Sequence, residues 1–261
     1  MKIIFIGDVM GKSGRRGLFR ALPDLRDEHE PDLVVVNAEN AAGGFGVTEE
    51  IMHDFFDNGA DVLTSGNHIF DKREILGVME HERRLLRPHN YPRDIPGSGW
   101  FVATTPSGVN VGVLNIMGNV FMHPILDCPF ESARAALDRK PADCNVILVD
   151  FHAEASSEKV AMGWFLDGRV SAVVGTHTHV PTADERVLPE GTAYISDVGM
   201  TGCYDSIIGM STEKVLKRFV DKVPERMEVA TGPATVCGVV IDVDERSGKS
   251  TSIERIAVRD V

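Results

Sequence analysis

The stretch Ala172-Val173-Val174-Gly175-Thr176-His177-Thr178-His179 decides how this chain is read. A short apolar run ends in glycine and is followed by two imidazoles two positions apart, which lie on one face of an extended segment. Glycine at the junction lets the backbone turn sharply and approach its neighbours. The same layout recurs upstream. Phe5-Ile6-Gly7 leads to Asp8, Val34-Val35-Val36 to Glu39-Asn40, Val62-Leu63 to Gly66-Asn67-His68, and Ile147-Leu148-Val149 to His152. Ligands of α/β folds gather outside the carboxyl ends of the strands, so five strands that each end in an oxygen or imidazole donor converge on one point. Any one of these residues has an ordinary explanation: an aspartate after a strand usually caps a helix, and a lone histidine such as His152 usually packs. Taken together they predict a metal site.

Segments of helical character alternate with the β runs, the pattern of an α/β fold. The reading gives strands at 2–7, 33–36 and 61–64, separated by helices from Arg15 to Glu30, with Pro23 as a potential kink, and from Thr48 onward. Thr48 is the expected N-cap, followed by Glu49 and Glu50 at the positive end of the helix dipole. A helix over Lys72 to Glu82 precedes a β pair at Trp100 to Thr105 and Asn110 to Ile116. A long loop spans 117–130. Beyond it come a helix at 131–140, a strand at 145–149, a helix at 157–166 and a strand at 172–174. Strands at 192–196, 236–243 and 253–258 then surround a helix at 212–222. With no repeat or linker, the expectation is one domain over 1–261, with a mixed sheet or two packed sheets.

Composition bounds the function. The chain has 261 residues, 43% of them hydrophobic, enough for a full core, and a formal net charge of −12. Such an acidic chain is a poor match to long nucleic-acid tracts, which need a dense basic footprint. The four cysteines, Cys128, Cys144, Cys203 and Cys237, form no CxxC pair, which fits reduced thiols and a cytoplasmic location. No apolar segment is long enough for a membrane span.

The donor set mixes carboxylate, amide and imidazole without thiolate, which suits manganese, iron or zinc better than calcium or magnesium. The number of donors suggests two ions. Two divalent cations roughly 3.5–4 Å apart need an anionic bridge, and Glu39 is the best candidate.

Gly7-Asp8, Gly66-Asn67-His68, Phe151-His152 and Gly175-Thr176-His177-Thr178-His179 resemble the ordered signature blocks of calcineurin-like metallophosphoesterases. Two blocks depart from the usual pattern: Asp8-Val9-Met10 replaces Asp-x-His, and Asn37-Ala38-Glu39-Asn40 replaces an Asp-centred motif. With Asp150-Phe151-His152-Ala153-Glu154, Ser157-Glu158-Lys159 and Asp197-Val198-Gly199-Met200-Thr201-Gly202, the set resembles, over nearly the full length, a bacterial branch whose studied members are 2′,3′-cyclic-nucleotide 2′-phosphodiesterases. The resemblance implies a four-layer α/β/β/α sandwich and a homo-oligomer, dimer or tetramer. It places one ion on Asp8, Glu39, Asn40 and His179 and the other on Glu39, Asn67, His152 and His177, with iron or manganese ahead of zinc. Asn40 then stands in for the missing histidine. His68, not itself a ligand, is left as the general acid for the leaving ribose oxygen, with Asp71 either orienting it or capping the helix at Lys72. Glu154, Ser157 and Lys159 are candidates to support the site from behind.

Three other functions fit parts of the sequence. Gly7-Asp8-Val9-Met10-Gly11-Lys12-Ser13 is one residue short of a P-loop and places a carboxylate where backbone amides must meet phosphate. A phosphomonoesterase, either nucleotidase or protein phosphatase, would use the same metals. It would differ in the pocket walls, for which the 117–130 loop with Phe121 and His123 and the 199–210 loop with Cys203 and Tyr204 are candidates. A non-enzymatic metal-binding regulator is disfavoured by the full donor set plus His68. The basic run Lys12 to Arg16 reads as a solvated first helical turn. The two divalent ions outweigh the charges of Asp8 and Glu39, so a small cyclic phosphodiester can enter a positive pocket on an acidic protein.

Overall fold

Along β1 (Lys2–Ile6), Ile3 and Phe5 point to one side and Ile4 and Ile6 to the other, and all four are fully buried. A strand buried on both faces belongs to the middle layers of a sandwich. The computed structural model describes residues 1–261 and extends this arrangement to two sheets. The first contains β1, β2 (Leu33–Asn37), β3 (Val62–Thr64), β10 (Val236–Val243) and β11 (Ser250–Val258), in the order β11-β10-β1-β2-β3. The second contains β4 (Trp100–Thr104), β5 (Asn110–Met117), β6 (Val146–His152), β7 (Ala172–Thr176), β8 (Arg186–Val187) and β9 (Ala193–Ile195), in the order β4-β5-β6-β7-β9-β8.

Three apolar clusters define four layers. Ile3, Phe5, Val35 and Val62 of the first sheet meet Val113, Leu148, Val174 and Ile195 of the second. On the outer face of the first sheet, Ile4, Ile6, Val34 and Val36 pack on Leu18, Leu22 and Leu25 of α1 (Gly11–His29) and on Met52 and Phe55 of α2 (Glu49–Asp57). On the outer face of the second, Leu114, Ile147, Val149 and Phe151 pack on Ala133 and Leu137 of α4 (Pro129–Leu137) and on Met162 and Leu166 of α5 (Ser156–Leu166). The result is the expected α/β/β/α sandwich. Within each sheet the central strands run parallel, β1-β2-β3 in one and β5-β6-β7-β9 in the other, so each sheet has a single carboxyl end.

Several boundaries differ from the sequence reading. α1 begins at Gly11 instead of Arg15, and Gly14 in its first turn lies so close to the Thr201 carbonyl that no side chain fits there. The helix expected over Lys72 to Glu82 shrinks to α3 (Ile75–Val78). Gly77 weakens its middle, and the chain must turn so that Leu63 N–H can donate to the Arg84 carbonyl and Leu86 N–H to the Leu63 carbonyl along β3. α4 starts within the expected loop, with Pro129 in its first turn, where the missing N–H costs nothing. The two-residue strand β8 is exposed at the sheet edge and carries no hydrophobic pattern to announce it. α6 (Thr212–Asp221) agrees with expectation, and Thr48 caps α2 by accepting from the Ile51 N–H at 3.3 Å. All four cysteines are free, and no helix is long and apolar enough to cross a membrane.

Between the sheets, away from the strand ends, Phe5 lies in an apolar layer held by packing. Phe5→Ala is therefore expected to cost about 3–5 kcal/mol in urea unfolding, whereas Phe219→Ala, 63% exposed on α6, should change stability by less than about 0.5 kcal/mol.

Candidate metal centre

The carboxyl ends of both sheets meet in one place. Asp8 follows β1, Glu39 and Asn40 follow β2, Asn67 and His68 follow β3, His152 ends β6, and His177 and His179 follow β7. The sheets are tied together there: Asn37 Nδ2 on β2 donates to Asp150 Oδ2 on β6 at 2.9 Å, and the His177 N–H donates to Asp8 Oδ2 at 3.2 Å.

The protonation of the rings follows from their partners. Thr176 gives its hydroxyl proton to Asp150 Oδ1 at 2.7 Å, so it accepts from His152 Nδ1 at 2.9 Å. That leaves His152 Nε2 facing inward, 3.2 Å from Glu39 Oε1, 3.1 Å from Asn67 Oδ1 and 3.0 Å from His177 Nδ1. His177 Nε2 points the other way, to Glu154 Oε2 at 3.3 Å. Four groups with lone pairs therefore face one another. The ligand atoms of Glu39, His152 and His177 all lie within 4.8 Å of one another.

A second group adjoins the first. His179 Nδ1 donates to the Ile208 carbonyl at 2.9 Å, which leaves Nε2 3.3 Å from Asn40 Oδ1. Asn40 Nδ2 is occupied with the Gly44 carbonyl at 3.0 Å, so its amide cannot turn to donate to the ring. Asp8 Oδ1 is fully buried without any hydrogen-bond partner. An orphaned carboxylate oxygen and acceptors facing acceptors are what a cation site looks like from the protein side, and the mixture of imidazole, amide and carboxylate fits a transition metal.

The titration of these groups points the same way. Burial raises the Asp8 carboxyl above its usual range against the attraction of His179 and His152. At Glu39 burial also acts upward, but the charge and hydrogen bond of His152 outweigh it and hold the carboxyl at about 2. His152 is the mirror image: burial disfavours its cation, yet Glu39 carries it to about 9. His177, buried beside that charge, is pushed down to about 3. Without metal, one proton on His152 takes the place of a cation.

Much of the surrounding structure serves to hold these donors. His177 and His179 have φ of 99° and 66°, left-handed values that cost on the order of 1–3 kcal/mol each in a non-glycine residue. Asp197 fixes the turn between them, accepting from both the N–H and the hydroxyl of Thr178 at 3.0 and 2.7 Å and from buried Lys159 Nζ at 2.7 Å. Gly175 lies against the Ser196 carbonyl, and Gly66 against the His152 ring and Glu39, so closely that neither has room for a β-carbon.

His68 stands at the rim. Its Nδ1 is 2.8 Å from Asp71 Oδ2, its ring meets Phe45 edge-on at 5.0 Å, and its backbone N–H donates to Glu39 Oε2 at 3.2 Å. Asp71 therefore partners the ring and does not cap a helix; α3 begins only at Ile75. Of the candidates to support the site, Glu154 does so directly and Lys159 through Asp197, while Ser157 makes no side-chain hydrogen bond to the donors. Sequence reasoning did not single out the Thr176–Asp150 pair or Asn37. The available signal was Asp150, a charge inside the apolar run Val146–His152.

Lys12 and Arg16 are exposed on the first turns of α1, and the P-loop reading fails because buried Asp8 aims its carboxylate at the histidines. Of the candidate wall residues, Cys203 is buried in packing, Tyr204 donates to the Met200 carbonyl at 3.0 Å, and Phe121 is 84% exposed.

Residues 4–256 match the model of a family described as YmdB-like protein. The chain is 48% identical over 260 residues to the 2′,3′-cyclic-nucleotide 2′-phosphodiesterase of Bacillus subtilis (strain 168), covering 100% of this chain and 98% of the relative. A crystal structure of a hypothetical protein from Thermus thermophilus superposes with a TM-score of 0.93 at 40% identity, covering 100% of both chains. The crystal structure of a Mycoplasma pneumoniae protein described as a novel phosphatase superposes at 0.94 with 34% identity, covering 100% of this chain and 94% of that one.

Because His152 holds a proton up to about pH 9 when no metal is bound, a metal ion must displace it. Calorimetric titration at pH 7 in buffers of different ionisation enthalpy should show about one proton released, and affinity should rise with pH up to about 9 and then level off. Release of no proton would refute the arrangement. The sign for folding is the reverse: the raised pKa stabilises the metal-free fold fully below about pH 6.5, and this contribution is lost as pH rises through about 9. Gly66→Ala drives a β-carbon into both His152 and Glu39, so the purified variant should fold but contain little metal by elemental analysis.

Proposed function

The chain belongs to the YmdB-like protein family, and on that footing we propose that it is a metal-dependent phosphoric diester hydrolase acting on small 2′,3′-cyclic nucleotides. One observation carries the reading: buried acceptors face one another at the strand ends, with Asp8 Oδ1 left unpartnered. Asp8, Glu39, Asn40 and His179 would hold one ion, and Glu39, Asn67, His152 and His177 the other, with iron or manganese ahead of zinc. When bound, such ions supply charge for the non-bridging phosphoryl oxygens and lower the pKa of water toward neutrality.

The chain's own residues supply the rest. Thr176 and Asp150 hold the His152 ring so that Nε2 faces the site, and Glu154 does the same for His177 Nδ1. Second partners of this kind fix ring orientation and tautomer. His68 is bound to Asp71 through Nδ1, so Nε2 is the nitrogen presented to substrate. A proton on that nitrogen passes to the leaving ribose oxygen as the phosphorus–oxygen bond breaks, and water supplies the new oxygen on phosphorus. The relative from Bacillus subtilis, named for this reaction, matches over the full chain, which supports the cyclic diester as substrate.

A second reading, hydrolysis of phosphomonoesters, is favoured by the description of the Mycoplasma pneumoniae protein as a phosphatase. Comparing turnover of bis-p-nitrophenyl phosphate with that of p-nitrophenyl phosphate separates the two, and faster cleavage of the monoester would sink the diesterase reading.

Glu39→Gln should lose both ions, measured by elemental analysis of protein purified without added metal, where the wild type should carry two equivalents. His68→Ala should keep its metal and lose roughly 100- to 10,000-fold in kcat. Full activity in either variant would overturn these assignments.

A further inference from the structure

A cavity of about 310 Å³, apart from the metal-binding side chains, is lined by Arg87, His89, Tyr91, Arg93 and Arg139, with Asp127 as its one carboxylate. On a chain with 39 acidic against 27 basic residues, three guanidiniums gathered in one cavity are unexpected, and none of the three is in a salt bridge. Arg87 is the most unusual. Only 5% exposed, it spends Nε on the Pro96 carbonyl, one terminal nitrogen on Pro88 and the other on Ile95, at 2.9 to 3.1 Å. Carbonyls satisfy part of its fork but leave its charge uncompensated, and each terminal nitrogen keeps one further N–H. A buried cation without a counter-ion is costly unless something anionic completes it. His89 feels the same field, since burial and then the charges of Arg87, Arg139 and Arg93 hold its pKa below the usual histidine value.

We propose that this cavity is a second anion site, which takes a small phosphate-bearing ligand of nucleotide size. Guanidinium forks match phosphate oxygens in pairs, and a volume near the low end of the ~300–1,000 Å³ typical of small-molecule sites admits a mononucleotide but not a polymer. Arg93 and Arg139 lie at its exposed wall and meet the ligand from solvent, while Arg87 supplies the buried charge. The site neighbours the metal centre without sharing its donors. The His89 N–H donates to the Asn115 carbonyl at 2.7 Å, and the Asn115 amide in turn holds Ser65, which precedes Gly66 and Asn67.

The test must separate this site from the metals, which also attract phosphate. Adenosine 5′-monophosphate, inorganic pyrophosphate and uncharged adenosine are titrated calorimetrically into wild type, into Glu39→Gln and into Arg93→Ala/Arg139→Ala. The site predicts that Glu39→Gln still binds the nucleotide, more weakly as salt is raised, and that the double arginine variant loses this binding by about tenfold or more. Binding of pyrophosphate as well would assign the affinity to phosphate alone, and binding of the nucleotide only would add a role for the nucleoside; both support the site. The single charge reversal Arg139→Glu should weaken binding in the same direction, and unchanged thermal unfolding verifies that each variant is folded. The proposal is overturned if Glu39→Gln binds the nucleotide no better than adenosine, or if the double variant binds it as the wild type does. Those results would mean that phosphate is taken at the metal centre or not at all, and they would leave the diesterase reading standing. Loss of diesterase turnover with retained binding in Glu39→Gln would, conversely, test that reading without touching this one.

Discussion

Acceptors aimed at acceptors are the constraint around which this molecule is built. His152 Nε2, His177 Nδ1, Asn67 Oδ1 and Glu39 Oε1 crowd one small volume, His179 Nε2 faces Asn40 Oδ1 at 3.3 Å, and Asp8 Oδ1 is buried without a partner. Asp8 Oδ1, the one among them with no hydrogen-bond partner, costs on the order of 1–3 kcal/mol or more as a buried carboxylate oxygen. The arrangement persists because the imidazoles and Asn40 are held from behind. Thr176 and Asp150 hold His152, the Ile208 carbonyl holds His179, the Gly44 carbonyl holds Asn40, and Asp197 with Lys159 holds the strained turn from His177 to His179. The stability of the sandwich is what sustains this local penalty, and a cation relieves it.

The architecture explains why seven donors can meet at all. Parallel strands in each sheet bring their carboxyl ends to one edge, and packing the two sheets face to face brings both edges together. Strands buried on both faces leave no choice of register, since a slip of one residue would exchange the helix-facing and sheet-facing side chains. The donors are therefore fixed by the same packing that fixes the core.

Apolar runs followed by Gly7-Asp8, Gly66-Asn67 and Gly175-Thr176-His177 were legible because strand ends, close backbone approach and donor chemistry leave separate marks in sequence. The failures have equally specific causes. Lys72 to Glu82 has helical composition, but Gly77 and the pairing of Arg84 and Leu86 with β3 hold most of it in turns. α1 starts earlier than expected through Gly11, Gly14 and Gly17, which lie close against Val229, Thr201 and Ala234, contacts that no local rule anticipates. Asp71 reads equally well as a cap or as a partner of His68, since both need only a carboxylate at that spacing, and the position of the ring decides it.

The α/β class and the presence of donors such as Glu39, His152 and His177 at strand ends were legible in the sequence, because periodicity and side-chain chemistry are local properties. The sequence could not determine which nitrogen of each histidine faces inward, since that depends on Thr176, Glu154 and the Ile208 carbonyl, all brought there by other parts of the chain. Nor could it show that Arg87, Arg93 and Arg139 line one cavity without a carboxylate partner, because Arg139 lies far from the other two along the chain and only the folded chain joins them. Charge in a protein acts through distance in space, and distance in space is what tertiary structure adds.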